Sequence, residues 1–444
     1  MSFTSPVFLF AFLPLTVIVY QLARSTKLKN AVWIAAGLLF YAFGDLSHLP
    51  LLLGSCLLHY GAGRYLMART KARRAVLLSC VALDLAVLAF YKVRGALPLG
   101  ISFYTFQAIS YVADTYKNPA DGTKNLREAL QYLTFFPQLT AGPFLKFSAL
   151  RPYLDRRDVS WEKNAQGVRR FVCGLCKKVL LSTAAAKLAD AMFSLASIDA
   201  LGAWTGALGY CLQLYFDFSG YSDMALGLGL LFGVQLPENF RHPYCAGSVS
   251  EFWRRWHMTL SGWFRDYVYI PLGGSRKGRA RTVFNKLLVF LATGLWHGTG
   301  WTFVLWGLWH GAFCGAETLL DRNKTLKTHW YGHVYTPLVV IFGFVLFRAE
   351  SVPQALMLLR AMLTGFTPVD ACRLALRNLL TAGTVFWCLA GALACLPLWE
   401  HAKARFGGSR WLSAVLDALT IVGLLLCLMQ LASHSFQPFI YASF

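Results

Sequence analysis

The sequence predicts an all-α, polytopic membrane protein folded as one continuous bundle of about ten or eleven transmembrane helices. Three observations carry that expectation. Of 444 residues, 56% are hydrophobic and only 14% charged, too little polar surface for a soluble chain of this length. Apolar runs close to the length that crosses a bilayer recur from end to end. The basic residues behind a formal charge of +21 gather between those runs, as Arg24, Lys27 and Lys29, then Arg69, Lys71, Arg73 and Arg74, then Arg276, Lys277, Arg279 and Arg281. Membrane insertion beside anionic headgroups leaves that pattern, so nucleic acid is not its cause. Two runs separate the first two clusters, which puts both on the cytoplasmic side and the amino terminus outside.

Residues 1–20 are expected to be the first span rather than a cleavable leader, since no basic segment precedes the run and no small-residue site follows it. Spans over 6–22 and 31–43 flank the basic loop ARSTKLKN. An outer turn at 45–48 leads into a span over 49–67, and 75–91 crosses again before Pro98 and Gly100 interrupt the pattern. The run 101–116 holds Ser102, Thr105, Gln107 and Ser110, polar groups that belong against protein rather than lipid.

Within 128–147, FFPQLTAGPF sets Pro137, Gly142 and Pro143 in apolar surroundings, where freed backbone groups need partners. A re-entrant or broken segment and a surface turn fit this equally. Residues 151–163 are charged and extramembrane, and 166–181 read as an amphipathic helix on the cytoplasmic side. The stretch 203–232 carries Asp217 and Asp223 in apolar helix, where carboxylates are uncommon. A polar knot with Tyr215, Ser219, Tyr221 and Ser222 is the favoured reading, and substrate contact the other. Spans over 283–297 and 301–319 form a hairpin broken at Gly298-Thr299-Gly300. Those over 333–347, 379–398 and 411–433 complete the bundle, with 352–363 interfacial. No repeat of the transporter kind is visible. The eleven cysteines lack framework spacing, and Cys173-x-x-Cys176 has no second ligand pair, so neither disulfides nor a metal site are expected.

Residues 251–312 concentrate the chemistry. Ser248-x-x-Glu251 has the form of a capping box opening a helix at Glu251. On that helix Trp253, Trp256, His257, Leu260 and Phe264 follow helical spacing and share one face. The helix is too polar to span and reads as interfacial. His297 ends the next span, where a titratable group is costly without a role or a partner. Gly298 after it removes side-chain bulk beside the imidazole, opening it to substrate. His310, thirteen residues on, would stand about 20 Å away on an unbroken helix, so the two are no preformed metal pair. For His310 a tryptophan-flanked anchor or hydrogen-bonded core residue is the favoured reading, and for His257 spacing leaves structure and function even. A buried neutral imidazole at His297 can take a proton from a hydroxyl or thiol. Spacing alone stops at an intramembrane base or proton relay.

The stretches RRWHMTLSGWFRDYVYIPLGGSR, GLWHGTGWTFVLWGLWHG and YFDFSGYSDMALGLGLLFG resemble hallmark segments of the membrane-bound O-acyltransferase family. The match is nearest to the bacterial branch typified by alginate O-acetylation. It extends to the opening SFTSPVFLFAFLPLTVIVY, to FPQLTAGP and PENFRHPY, and to the closing QPFIYASF, hence over most of the chain. The resemblance implies a single membrane domain over 1–444, with amino-terminal helices (1–116), a catalytic core (117–320) and carboxy-terminal helices (321–444). Re-entrant and interfacial helices would surround a central tunnel. The family's invariant histidine falls on His297 and a second active-site polar position on His257. Trp253, Arg254, Arg255, Trp296, Gly298, Asp217, Tyr221, Asn239 and His310 are further candidates for binding donor or acceptor.

The implied activity is O-acetylation of an exported polysaccharide, alginate- or cellulose-like, from a cytoplasmic thioester such as acetyl-CoA, with no bound cofactor or metal. The implied setting is the inner membrane, with a periplasmic or membrane-anchored acetyltransferase partner of the SGNH-hydrolase type and a polysaccharide export complex. Three alternatives stand beside it: D-alanyl transfer to teichoic acid by the same fold, a proton-coupled transporter using His297 as relay, and a catalytically silent scaffold, against which intact His257 and His297 argue by resemblance.

Overall fold

The computed structural model describes residues 1–68, 71–321, 325–407 and 409–433. Arg69 and the closing stretch at 437–444 lie outside the described residues. Among the described residues every regular element is helical. They form two compact units, Met1–Val172 with Tyr221–Glu238, and Cys173–Gly220 with the described residues from Asn239 onward.

Two helices are by themselves long and apolar enough to cross a membrane, Arg73–Arg94 and Trp411–Ala432. A third is added if Asp370–Leu379 and Ala382–Ala394, bent by 86° at their junction, count as one. The bend falls at the start of the span expected over 379–398, whose helix is the shorter Ala382–Ala394. Length and composition therefore do not reach ten or eleven. The shortfall has a physical cause: Phe8–Leu22, Gly332–Arg348 and Val352–Thr364 are apolar but short, and Ile101–Lys117 carries its polar groups inward. Ser102, Thr105, Gln107 and Ser110 are all buried, as expected of groups that face protein.

In the first unit, Thr26–Asp45 is fixed at its start by Ser25, whose hydroxyl accepts from the Leu28 N–H at 3.2 Å. Farther along, Trp33 Nε1 donates to the Gln131 carbonyl at 3.0 Å and Gln131 Nε2 to Asn30 Oδ1 at 2.9 Å. The FFPQLTAGPF segment is a four-residue helix, Phe136–Leu139, followed by irregular chain. Residues 131–139 are all buried, which rules out the surface turn. Gln138 Nε2 donates to the Tyr132 carbonyl at 3.0 Å, so a side chain supplies a partner that the broken helix lacks. Asp223 takes Arg170 Nε at 2.9 Å, and the same guanidinium reaches Glu238 at 2.7 Å.

The helix Trp161–Cys176, which belongs to the first unit as far as Val172, continues in the second through a π-helical turn, Lys177–Ser182, into Thr183–Phe193. The expected separate helix over 166–181 is thus part of a longer run, because Thr183-Ala-Ala-Ala-Lys-Leu offers no breaker. The π turn carries Lys178, which is buried and paired with the buried Asp217 of Ala200–Leu231. The hairpin expected around 298–300 is present as Arg279–His297 and Trp301–Leu320. Gly307, Gly311 and Gly315 line its contact: side chains there would run into the Phe290 carbonyl, Leu287 and Val283. This four-residue spacing of glycines brings the two backbones together.

Candidate active site

His297 is the last residue of Arg279–His297 and is 5% exposed. Its ring meets Trp306 edge-on at 5.3 Å and Phe347 at 5.0 Å, with Trp296 at 4.8 Å. Gly298 does not open this imidazole to substrate as expected. The volume a side chain at 298 would take is filled by the Phe303 ring, so the missing Cβ serves hairpin packing. Because the chain doubles back at 298–300, His310 also packs against Trp306, again at 5.3 Å. The straight-helix separation of about 20 Å therefore does not apply.

His310 is fully buried, against Trp253 at 4.9 Å, Phe290 at 6.3 Å and the backbone of Gly343. It is neither an interfacial anchor nor a hydrogen-bonded core residue, since neither ring nitrogen has a hydrogen-bond partner among the described residues. Aromatic edges hold it instead.

His257 departs most from expectation. The single helix predicted over 251–264 is two, Val249–Arg255 and Met258–Phe264, with His257 between them in the left-handed region at φ 43°, ψ 53°. The shared face of Trp253, Trp256, His257, Leu260 and Phe264 consequently does not form. A left-handed backbone costs a non-glycine residue about 1–2 kcal/mol, and hydrogen bonds from outside the helix offset it at about 1 kcal/mol each. Arg241 N–H donates to the Arg255 carbonyl at 3.0 Å, and Met258 N–H to the Asn239 carbonyl at 2.9 Å. The side-chain oxygen of Asn239 stands 3.1 Å from His257 Nδ1. Phe218 packs against the imidazole with the rings edge-on at 4.6 Å. Burial lowers the imidazole below the usual histidine range, toward the neutral form.

The helix before His257 is anchored in a way the sequence did not indicate. Ser248 Oγ accepts from the Glu251 N–H at 3.1 Å, as a capping box requires, but the helix opens at Val249. Glu251 turns to the Gly247 N–H at 3.1 Å and to Arg255 at 2.7 Å. The Val249 and Ser250 N–H groups donate instead to Glu317 of the hairpin, at 2.6 and 2.9 Å. A carboxylate on the first N–H groups of a helix suits its dipole. Glu317→Ala strands one buried and one half-buried donor and should destabilise the fold by about 1.5–3 kcal/mol, with Glu317→Gln milder. Thermal unfolding in detergent measures this, and an unchanged midpoint for the alanine variant would refute the anchoring role.

The remaining candidates separate. Trp253 and Trp296 touch His310 and His297 respectively. Arg255 is engaged internally by Glu251, whereas Arg254 and the loop cations Lys277 and Arg279 are exposed. Asp217 is on Lys178. Tyr221 belongs to the first unit, where its hydroxyl meets Thr140 and its ring stacks on Phe3 at 4.7 Å. Among the described residues no group of three His, Cys, Asp or Glu side chains is placed to hold a metal.

What these three aromatic-walled histidines belong to is decided by comparison. A family model described as the membrane-bound O-acyltransferase family matches residues 118–357, which include His257, His297 and His310. The probable alginate O-acetylase of Pseudomonas putida is 36% identical over the whole of both chains. The chain belongs to the membrane-bound O-acyltransferase family. The peptidoglycan O-acetyltransferase of Helicobacter pylori is 36% identical over 84% of this chain and 81% of its own. The teichoic acid D-alanyltransferase of Bacillus subtilis is 28% identical over 57% of this chain and 69% of its own. Membership makes this a membrane protein and its chemistry acyl transfer to oxygen, so an acyl donor is required. A pure transporter is set aside.

Proposed function

We propose that the protein O-acetylates an exported, alginate- or cellulose-like polysaccharide at the inner membrane, taking acetyl from a cytoplasmic thioester, most simply acetyl-CoA. The observation that carries the proposal is His297, a buried imidazole at a helix end walled by Trp296, Trp306 and Phe347, inside the family-matched stretch. On this reading His297 takes the proton of the acceptor hydroxyl as its oxygen attacks the thioester carbonyl. The tetrahedral intermediate then expels the thiolate, which takes that proton from His297. His257 assists from the same unit. Residues 117–320 would hold the catalytic core, with the helices of 1–116 and 321–444 around it. The shorter apolar helices would cross as well, giving ten or eleven spans around a tunnel, with the amino terminus in the periplasm. An exported acetyltransferase of the SGNH type would complete delivery to the polymer.

Acetyl is favoured over D-alanine because the acetyl-transferring relatives align over most or all of the chain, the D-alanyl-transferring one over little more than half. Purified protein in nanodiscs, given labelled acetyl-CoA with and without the exported partner, tests this. Transfer or thioester cleavage is the expected result. A folded wild type inert toward acetyl-CoA even with partner would remove that donor, and a carrier-bound D-alanyl thioester would be tried in its place.

A further inference from the structure

We infer that Asn239 is a positioning residue whose amide oxygen fixes His257 with its proton on Nδ1, leaving Nε2 as the ring's proton-accepting atom. The inference rests on the proposed place of His257 in the catalytic pair.

Asn239 Oδ1 lies 3.2 Å from the Thr259 backbone nitrogen, 2.9 Å from Thr259 Oγ1 and 3.1 Å from His257 Nδ1. A backbone N–H can only donate, so the amide atom it faces must be oxygen. An unprotonated Nδ1 would then set two acceptors against each other. Nδ1 therefore carries hydrogen, and in a neutral imidazole Nε2 keeps the lone pair. So arranged, Nε2 can take a hydrogen bond from the acceptor hydroxyl or from an N–H of His297. It cannot donate to an oxyanion unless first protonated.

The support is more than one contact. Residues 239–241 form a strap across the helix break, bonded to the Arg255 carbonyl before it and the Met258 N–H after it. Among the described residues, His242 beside the strap and His257 are the two non-glycine positions with positive φ. Backbone held in that region by surrounding structure marks sites where geometry is imposed. PENFRHPY thus has a use that its resemblance did not specify: it shapes the turn that presents His257.

Charged groups close to His257, Asn239 and Phe218 in the chain already have partners. Arg255 is on Glu251, His242 Nε2 is 2.7 Å from Glu400, and Asp217, next to Phe218 in the chain, is on Lys178. A new carboxylate at 239 should therefore act on His257 directly. Asn239→Asp keeps an acceptor for Nδ1–H but favours the imidazolium, so the base form is lost at higher pH and the acid limb of kcat/KM moves up. Asn239→Leu removes the acceptor and should lower kcat about a hundredfold with KM little changed.

The deciding measurement needs no turnover. Protein labelled with 15N-histidine in nanodiscs reports the tautomer of each ring, with His257 assigned by its loss in His257→Gln. The expected wild-type spectrum shows Nδ1 protonated and Nε2 bare, with mixed tautomers in Asn239→Leu and a raised His257 titration in Asn239→Asp. A wild-type ring protonated on Nε2 alone overturns the inference, even if Asn239→Leu fails to fold. An Asn239→Asp protein whose His257 titration and acid limb match wild type also overturns it. The expected tautomers without acetyl turnover in wild type would instead count against the acetyl-CoA reading and leave the positioning role standing.

Discussion

His297→Ala should lower acetyl transfer from labelled acetyl-CoA by a hundredfold or more, with the protein still folded. The size follows from what a positioned base contributes, about a hundred- to ten-thousandfold. Folding should survive because the ring sits at a helix end beside Gly298, not in mid-helix, and is held largely by the edges of Trp296, Trp306 and Phe347. His297→Gln preserves more of the volume and removes the same basicity, so it should be equally inactive and closer to wild type in thermal stability. His310→Ala is the contrast. That ring packs between Trp253, Trp306 and Gly343, so its loss should affect stability more than turnover. Near-wild-type turnover by folded His297→Ala would remove this imidazole from the chemistry, and His257 would become the leading base.

Much of this was legible because hydropathy and punctuation coincide. The span expected over 49–67 is the helix Leu49–Met67, and Gly298-Thr299-Gly300 separates the two hairpin helices where the sequence broke. Such limits are local, set by glycine, proline and the ends of apolar runs. What escaped was set from far away in the chain. Nothing between Glu251 and Phe264 announces a break, since the apolar spacing runs unbroken through Trp256 and His257. The break exists because Asn239 and Arg241 offer the backbone other partners, and a histidine at positive φ has no sequence signature. Glu317 as the anchor of Val249–Arg255 is equally non-local. One missed feature was readable: Gly307, Gly311 and Gly315 at four-residue spacing announce close helix contact. The separation of His297 from His310 was misjudged for the same reason, because a hairpin replaces helical rise with packing across Trp306.

Breaking the Lys178–Asp217 pair should destabilise the second unit more than any other single change considered for it. Both groups are almost wholly buried, with side chains 1% and 4% exposed. Removing one partner leaves an uncompensated charge, which costs about 3–5 kcal/mol. Lys178→Met or Asp217→Leu alone should therefore unfold well below wild type in detergent, or fail to accumulate. Replacing both removes the two charges together, and by the same principle the double variant should recover most or all of the lost stability. Additive losses in the double variant would mean that the pair does not act as a unit, and that each group answers to something else around it. The same protein settles the role of Asp217. If the carboxylate only neutralises Lys178, the refolded double variant should transfer acetyl nearly as well as wild type. A stable double variant without turnover would place Asp217 or Lys178 at the substrate, and the polar knot would then be part of the site.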